Sequence, residues 1–157
     1  MLTIHDQEKF MREALELCKA AQNVGEVPVA ALVLKDGQVI GRGINRRKLD
    51  SDPSAHAEIV AMREAGRSLG AWNLSGCDLL VTLEPCAMCA GAAVNARIAN
   101  IYFGAFDVRF GYCVTLGSIP SDERLNHRAL VMGGILEEEC LRPLRDFFKE
   151  RRGAKVE

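Results

Sequence analysis

Five short apolar runs alternate along this chain with stretches whose apolar residues recur at helical spacing, and this alternation limits the fold more than any other feature. The runs lie at residues 29–34, 39–43, 79–83, 100–103 and 129–132. Between and around them, Phe10, Ala14, Leu17, Cys18 and Ala21 form one stripe of an amphipathic helix over Ile4–Asn23. Asp52-Pro53 offers a cap and a first helical position for a second helix reaching about Leu69, with Gly70 behind it. Pro85 opens a third helix to about Arg97, and a fourth covers roughly residues 136–152.

Lys35-Asp36-Gly37 joins the first two strands as a hairpin, because Asp-Gly suits the positive backbone angles of a tight turn. About 25 residues separate the last two strands. That is far more than a hairpin needs and enough for a crossover, so these two strands are expected to be parallel. The expectation is an α/β fold of three layers, α/β/α, with a five-stranded mixed sheet and helices on both faces. No repeat, low-complexity tract or linker interrupts the 157 residues, which are read as one domain spanning 1–157.

Composition removes several classes of function. No apolar run approaches the ~20 residues needed to span a bilayer. Asp6, Glu8 and Lys9 within the first ten residues do not fit a secretory signal. Six cysteines in an unsignalled chain that is 48% hydrophobic point to thiols in a reducing cytoplasm rather than to a disulfide scaffold. The net charge of −1 excludes a wholesale polyanion binder. Charge is unevenly spread, however: residues 141–157 carry six basic and three acidic side chains, making the tail the electropositive end.

The chemistry concentrates in His56-Ala57-Glu58 and Pro85-Cys86-Ala87-Met88-Cys89, each at the start of an expected helix. Cys86 and Cys89, three apart, put two thiols on one side, and a helix N-terminus favours their thiolate forms. His56 adds a neutral third ligand. A structural zinc site closes with four protein ligands, whereas a catalytic one keeps a position for water, and neither His5 nor His127 lies in a spaced motif for a fourth. Glu58 is then positioned to move the protons of that water. A redox reading of Cys-x-x-Cys lacks the thioredoxin-like strand order around it.

His-x-Glu followed by Pro-Cys-x-x-Cys resembles the signature of the cytidine deaminase superfamily. Within it the resemblance is to the bacterial tRNA-specific adenosine deaminases, from about Phe10 to Arg152. It is carried also by Glu26-Val27-Pro28-Val29, Asn45-Arg46, Thr82-Leu83-Glu84, Phe103-Gly104-Ala105, Leu125-Asn126-His127-Arg128 and Asp146-Phe147-Phe148-x-x-Arg151-Arg152. The resemblance implies one Zn2+ per subunit on His56, Cys86 and Cys89, with Glu58 as the catalytic proton shuttle. It implies hydrolytic conversion of adenosine to inosine at the first anticodon position of a tRNA, an arginine tRNA, with release of ammonia. Asn45, Asp107, Phe148 and Arg152 match positions that contact the flipped nucleoside, its neighbour and the anticodon stem-loop. A homodimer in the cytoplasm is also implied.

Base stacking and phosphate pairing, which single-stranded RNA requires, agree with the mixture of Phe147, Phe148, Lys149, Arg151 and Arg152 in the tail. Phe147 is expected to dock the last helix, His127 to be a structural loop residue, Cys77 and Cys140 to pack, and Trp72 to cover a core edge. The chain departs from the family at Ala30, where Gly is usual, and at Phe106, Phe110 and Tyr112-Cys113-Val114-Thr115, where smaller or more polar residues are usual. The residues alone leave two alternatives open: a deaminase of free bases or nucleosides such as guanine or cytosine, and a non-catalytic zinc module that binds RNA.

Overall fold

The computed structural model describes residues 1–154, so the last three residues of the expected 1–157 domain lie outside it. The chain runs α1 (Ile4–Asn23), β1 (Ala30–Lys35), β2 (Gln38–Ile44), α2 (Ala57–Leu69), β3 (Cys77–Leu83), α3 (Ala87–Asn95), β4 (Asn100–Ala105), a 3-10 turn (Ile119–Ser121), β5 (Leu130–Met132) and α4 (Glu137–Ala154). The sheet order is β2-β1-β3-β4-β5. β1 is antiparallel to both its neighbours, while β3, β4 and β5 are mutually parallel. The expected pairing of the last two strands is borne out. A second parallel pair, β3 with β4, is made by the α3 crossover.

Ala30–Leu34 of β1 are all buried, and with a two-residue period their side chains alternate between two cores, one on each face of the sheet. Ala30, Leu32 and Leu34 pack with Phe10, Met11, Ala14 and Cys18 of α1 and with Cys140 of α4. Ala31 and Val33 pack with Ala57, Ala61 and Ala65 of α2 and with Ala90 and Ala93 of α3. The sheet therefore lies between α1 with α4 on one face and α2 with α3 on the other. Asp36 and Gly37, with φ of 50° and 73°, turn the hairpin as their residue types predict. On β2, a Cβ at Gly43 would meet the carbonyl oxygen of Ala57, so glycine there lets the start of α2 lie directly on the strand.

Two helices begin later than the sequence suggested. α2 starts at Ala57 with His56 as its cap residue, in place of a start at Asp52-Pro53. Asp52 does cap, but a tight turn: its carboxylate accepts from the Ser54 amide (2.8 Å) and hydroxyl (2.7 Å). α3 starts at Ala87 with Cys86 as its cap residue, two positions beyond Pro85, and ends at Asn95, before Arg97 with its φ of 67°. Trp72 covers no core; it is 70% exposed, with the Arg97 guanidinium 5.8 Å from its ring. Cys77, Cys113 and Cys140 are buried, as packing roles require, and the six cysteines are separate thiols. No helix of the described residues is long and apolar enough to cross a membrane.

Candidate active site

Both late helix starts serve the same end. At each start the residue before the first helical turn is an extended cap whose side chain is left for other partners. His56 (φ −71°, ψ 154°) and Cys86 (φ −72°, ψ 175°) are such caps, and neither side chain is spent on capping its own helix. Cys89 lies in the first turn of α3. His56 Nδ1 is 3.5 Å from Cys86 Sγ and 3.5 Å from Cys89 Sγ, and all three donor atoms fall within 4.8 Å of one another.

These separations fit zinc. Bonds of about 2.3 Å to sulfur and about 2.0 Å to nitrogen at a tetrahedral angle imply a nitrogen–sulfur edge of about 3.5 Å. The donor set of one imidazole and two sulfurs suits the ion chemically. The three donors divide their protons unevenly: the hydrogen bond from Cys89 and the neighbouring His56 hold the Cys86 thiol down at about 4, while Cys89, hydrogen-bonded to Cys86 and buried, is pushed up. His56 is raised, first by its hydrogen bond with Cys86. Glu58, in the first turn of α2, is 4% exposed, and burial pushes its carboxyl up to about 7.

Asn45 follows β2 and is buried; its side-chain oxygen accepts from the Arg47 amide at 3.4 Å. It lines a cleft of about 400 Å³ with Glu26, Arg47, Lys48 and Asp52. Arg151 of α4 lines the same cleft, donates to the Gly25 carbonyl at 3.2 Å and stacks on Phe147 at 4.6 Å. Arg152, one residue on, is exposed at the end of α4. Phe147 is buried and Phe148 is 48% exposed, their rings edge to face at 5.4 Å. His127 Nε2 lies 2.6 Å from the Ile98 carbonyl oxygen, a structural contact.

Asp107 sits on the loop between β4 and the 3-10 turn, where its carboxylate accepts from the amides of Arg109 (3.0 Å) and Phe110 (3.2 Å). Gly111 of that loop forms a backbone bridge with Cys86, and the Tyr112 amide donates to the Pro85 carbonyl at 2.9 Å. The loop thus lies against the metal centre.

Two carboxylates, Glu26 and Glu84, lie in segments that carry the family resemblance but had no role assigned from sequence. Glu26, 1% exposed, accepts from the Lys48 and Leu49 amides at 2.7 and 2.8 Å and so hangs the loop after Asn45. Glu84, 2% exposed, accepts from the Asp107 (3.0 Å), Val114 (2.8 Å) and Thr115 (2.8 Å) amides and from the Thr115 hydroxyl (2.5 Å). The signal available for both was a lone acid between apolar residues, next to or near a proline. Such a position demands donors that only distant chain can supply.

A nitrogen and two sulfurs at the end of a mixed α/β/α sheet, with a buried carboxylate beside them, define a zinc-dependent hydrolytic deaminase. Residues 4–105 match the family described as the cytidine and deoxycytidylate deaminase zinc-binding region. Over 148 residues the chain is 45% identical to the tRNA-specific adenosine deaminase of Bacillus subtilis, covering 94% of this chain and 92% of that protein. It is 43% identical to the Haemophilus influenzae protein of the same name over 149 residues, covering 94% and 86%. A solved tRNA:A34 deaminase, studied for A-to-I editing at the wobble position of transfer RNA, superposes with a TM-score of 0.83 at 40% identity, covering 87% of this chain and 99% of that one. The chain belongs to the cytidine and deoxycytidylate deaminase family and, within it, to the tRNA-specific adenosine deaminases.

Proposed function

We propose that this protein deaminates adenosine to inosine at the wobble position of a tRNA, with an arginine tRNA as substrate. The observation that carries the reading is the His56, Cys86 and Cys89 cluster with Glu58 buried at its side. The likeness to tRNA-specific adenosine deaminases over 94% of the chain extends it to the electropositive tail. His56, Cys86 and Cys89 would hold the zinc, which when bound would supply the acidity that lets water attack C6. Glu58 moves one proton of the water to ring nitrogen N1 and the second to the departing amino group. The C6–N6 bond breaks, and ammonia and inosine leave. Burial keeps the Glu58 carboxyl near 7, where it both accepts and returns a proton.

The flipped base lies against Asn45, a buried amide suited to an edge hydrogen bond. Asp107 meets the adjoining nucleotide, and Phe148 and Arg152 supply stacking and charge to the anticodon loop. α3 leaves Ala87 and Met88 exposed and is apolar on nearly every side, which suits pairing with a second copy of the chain. The working form is therefore a homodimer, acting where tRNA is found, in the cytoplasm.

One specific observation favours a second reading, deamination of a free purine: a solved guanine deaminase from Bacillus subtilis superposes with a TM-score of 0.60 at 39% identity, covering 63% of this chain and 64% of that one. The deciding experiment is a deamination assay on an arginine anticodon stem-loop with adenosine in its first anticodon position, run beside free adenosine, cytosine and guanine. Inosine formed only in the stem-loop is the expected result. Turnover of a free base alone overturns the reading, as does the absence of any turnover by zinc-loaded protein. Light scattering at micromolar concentration checks the dimer.

A further inference from the structure

We infer that Glu84 is a positioning residue: it fixes the loop at 106–116 in the conformation that holds substrate beside the metal centre. The inference rests on the stem-loop reading given above. Its physical basis is a count of donors. Glu84 is 2% exposed and sits two residues before Cys86, yet it forms no ion pair among the described residues. It meets its need for donors from one loop alone. Oε1 takes the Val114 and Thr115 amides at 2.8 Å each, and Oε2 takes the Asp107 amide at 3.0 Å and the Thr115 hydroxyl at 2.5 Å. Charge-assisted bonds to a carboxylate are roughly twice as strong as neutral ones. Four of them close a loop that has no regular secondary structure of its own.

The loop is built to receive that carboxylate. A Cβ at Gly111 would run into Glu84 Oε2, so glycine there keeps the seat open. On the outer side, Phe110 is 64% exposed and Arg109 is also exposed, whereas Phe106 is tied edge to face against Phe103 at 5.1 Å. An exposed aromatic face and an exposed guanidinium, on a loop that bridges to Cys86, are what an unpaired nucleotide needs for stacking and phosphate pairing. They help only if held still, because ordering a loose loop at the moment of binding costs affinity. Glu84 meets that cost in advance. Its side chain does not reach the reacting atoms; it acts through the loop.

The test compares wild type with Glu84→Gln and Thr115→Val as zinc-loaded, full-length protein. Glutamine keeps one acceptor oxygen but turns an amino group toward two of the loop's donors. Thr115→Val removes only the hydroxyl donor. Deuterium uptake of peptides covering 106–116 is measured first, then KM and kcat on the stem-loop and zinc content. Glu84→Gln is expected to speed exchange in that segment at least tenfold and to raise KM about tenfold, with kcat within threefold and zinc at one per chain. Thr115→Val is expected to move the same readings in the same direction by about threefold.

Unchanged exchange and KM in both variants overturn the inference. So does a fall in zinc content with KM unchanged, which would make Glu84 a support for Cys86 alone. The exchange measurement needs no substrate. A wild type that ignores the stem-loop but shows the expected exchange pattern would therefore break the functional reading and leave the clamp in place; the reverse pattern would break the clamp alone.

Discussion

Glu58 and Glu84 are equally hidden, at 4% and 2% exposure, and behave in opposite ways. Around Glu58 burial outweighs the few groups that favour its charge, chiefly its own amide and His56, and its carboxyl rises to about 7. Around Glu84 burial also raises the pKa, but the Thr115 hydroxyl and the Thr115, Asp107 and Val114 amides outweigh it, and the carboxyl ends below its ordinary range. Depth alone therefore assigns no role. A buried acid whose charge is left unsatisfied is available for proton transfer; one whose charge is fully satisfied is part of the framework. Glu58 stands two residues after His56 and Glu84 two residues before Cys86, so each acid adjoins a different half of the ligand cluster.

The largest expected effect separates the two acids by activity. Glu58→Gln should lower kcat by about 10²–10⁴, the range of a lost general acid–base group, with zinc content unchanged. Its melting temperature should hold or rise, since the change removes a buried charge. A variant retaining more than about a tenth of wild-type kcat would end the contrast. Removing the metal with a chelator should abolish turnover, and added zinc should restore it; this is checked by activity against bound zinc. It should also lower the melting temperature, because metal binding stabilises only the folded site.

Glu84→Ala reverses the pattern. It strands four donors in a part-buried setting, each costing up to about 1–3 kcal/mol when left unpaired and partly relieved by water, so a loss of about 2 kcal/mol or more by denaturant unfolding is expected. The pH profile sharpens the point. A carboxyl with a depressed folded pKa contributes stability that is fully present above its ordinary value near 4.5 and is lost as pH falls through the folded value. Wild type should thus lose stability on acidification through that window more steeply than Glu84→Ala. Parallel curves would mean the donors do little. The smallest effect is Thr115→Val, where loss of one hydroxyl should cost about 1 kcal/mol and leave kcat unchanged.

The sheet, its helices on two faces and the parallel last pair were legible because each rests on a local pattern: two-residue alternation, helical spacing, an Asp-Gly turn and the length of a connection. The ligand set was legible for a different reason. His56, Cys86 and Cys89 stand in two short motifs whose residue types have few other uses together. Helix starts were misread because Asp52-Pro53 and Pro85 satisfy local rules for a cap and a first turn. Contacts from elsewhere decided the matter: the Ala55 carbonyl accepts from the Arg46 amide, and the Pro85 carbonyl accepts from the Tyr112 amide. Both segments are thereby held extended until His56 and Cys86.

Trp72 was misread for the converse reason, since aromatic type says nothing of which neighbours remain to cover it. The sequence by itself determined the elements, their layering and the chemical identity of the metal ligands, because periodicity and motif spacing are properties of adjacent residues. Only the tertiary structure decided that Glu84 would hold a loop 23 to 31 residues away, and that Glu26 would hold one 22 and 23 residues away. A buried charge selects its donors by distance in space, and spacing along the chain carries no record of that distance.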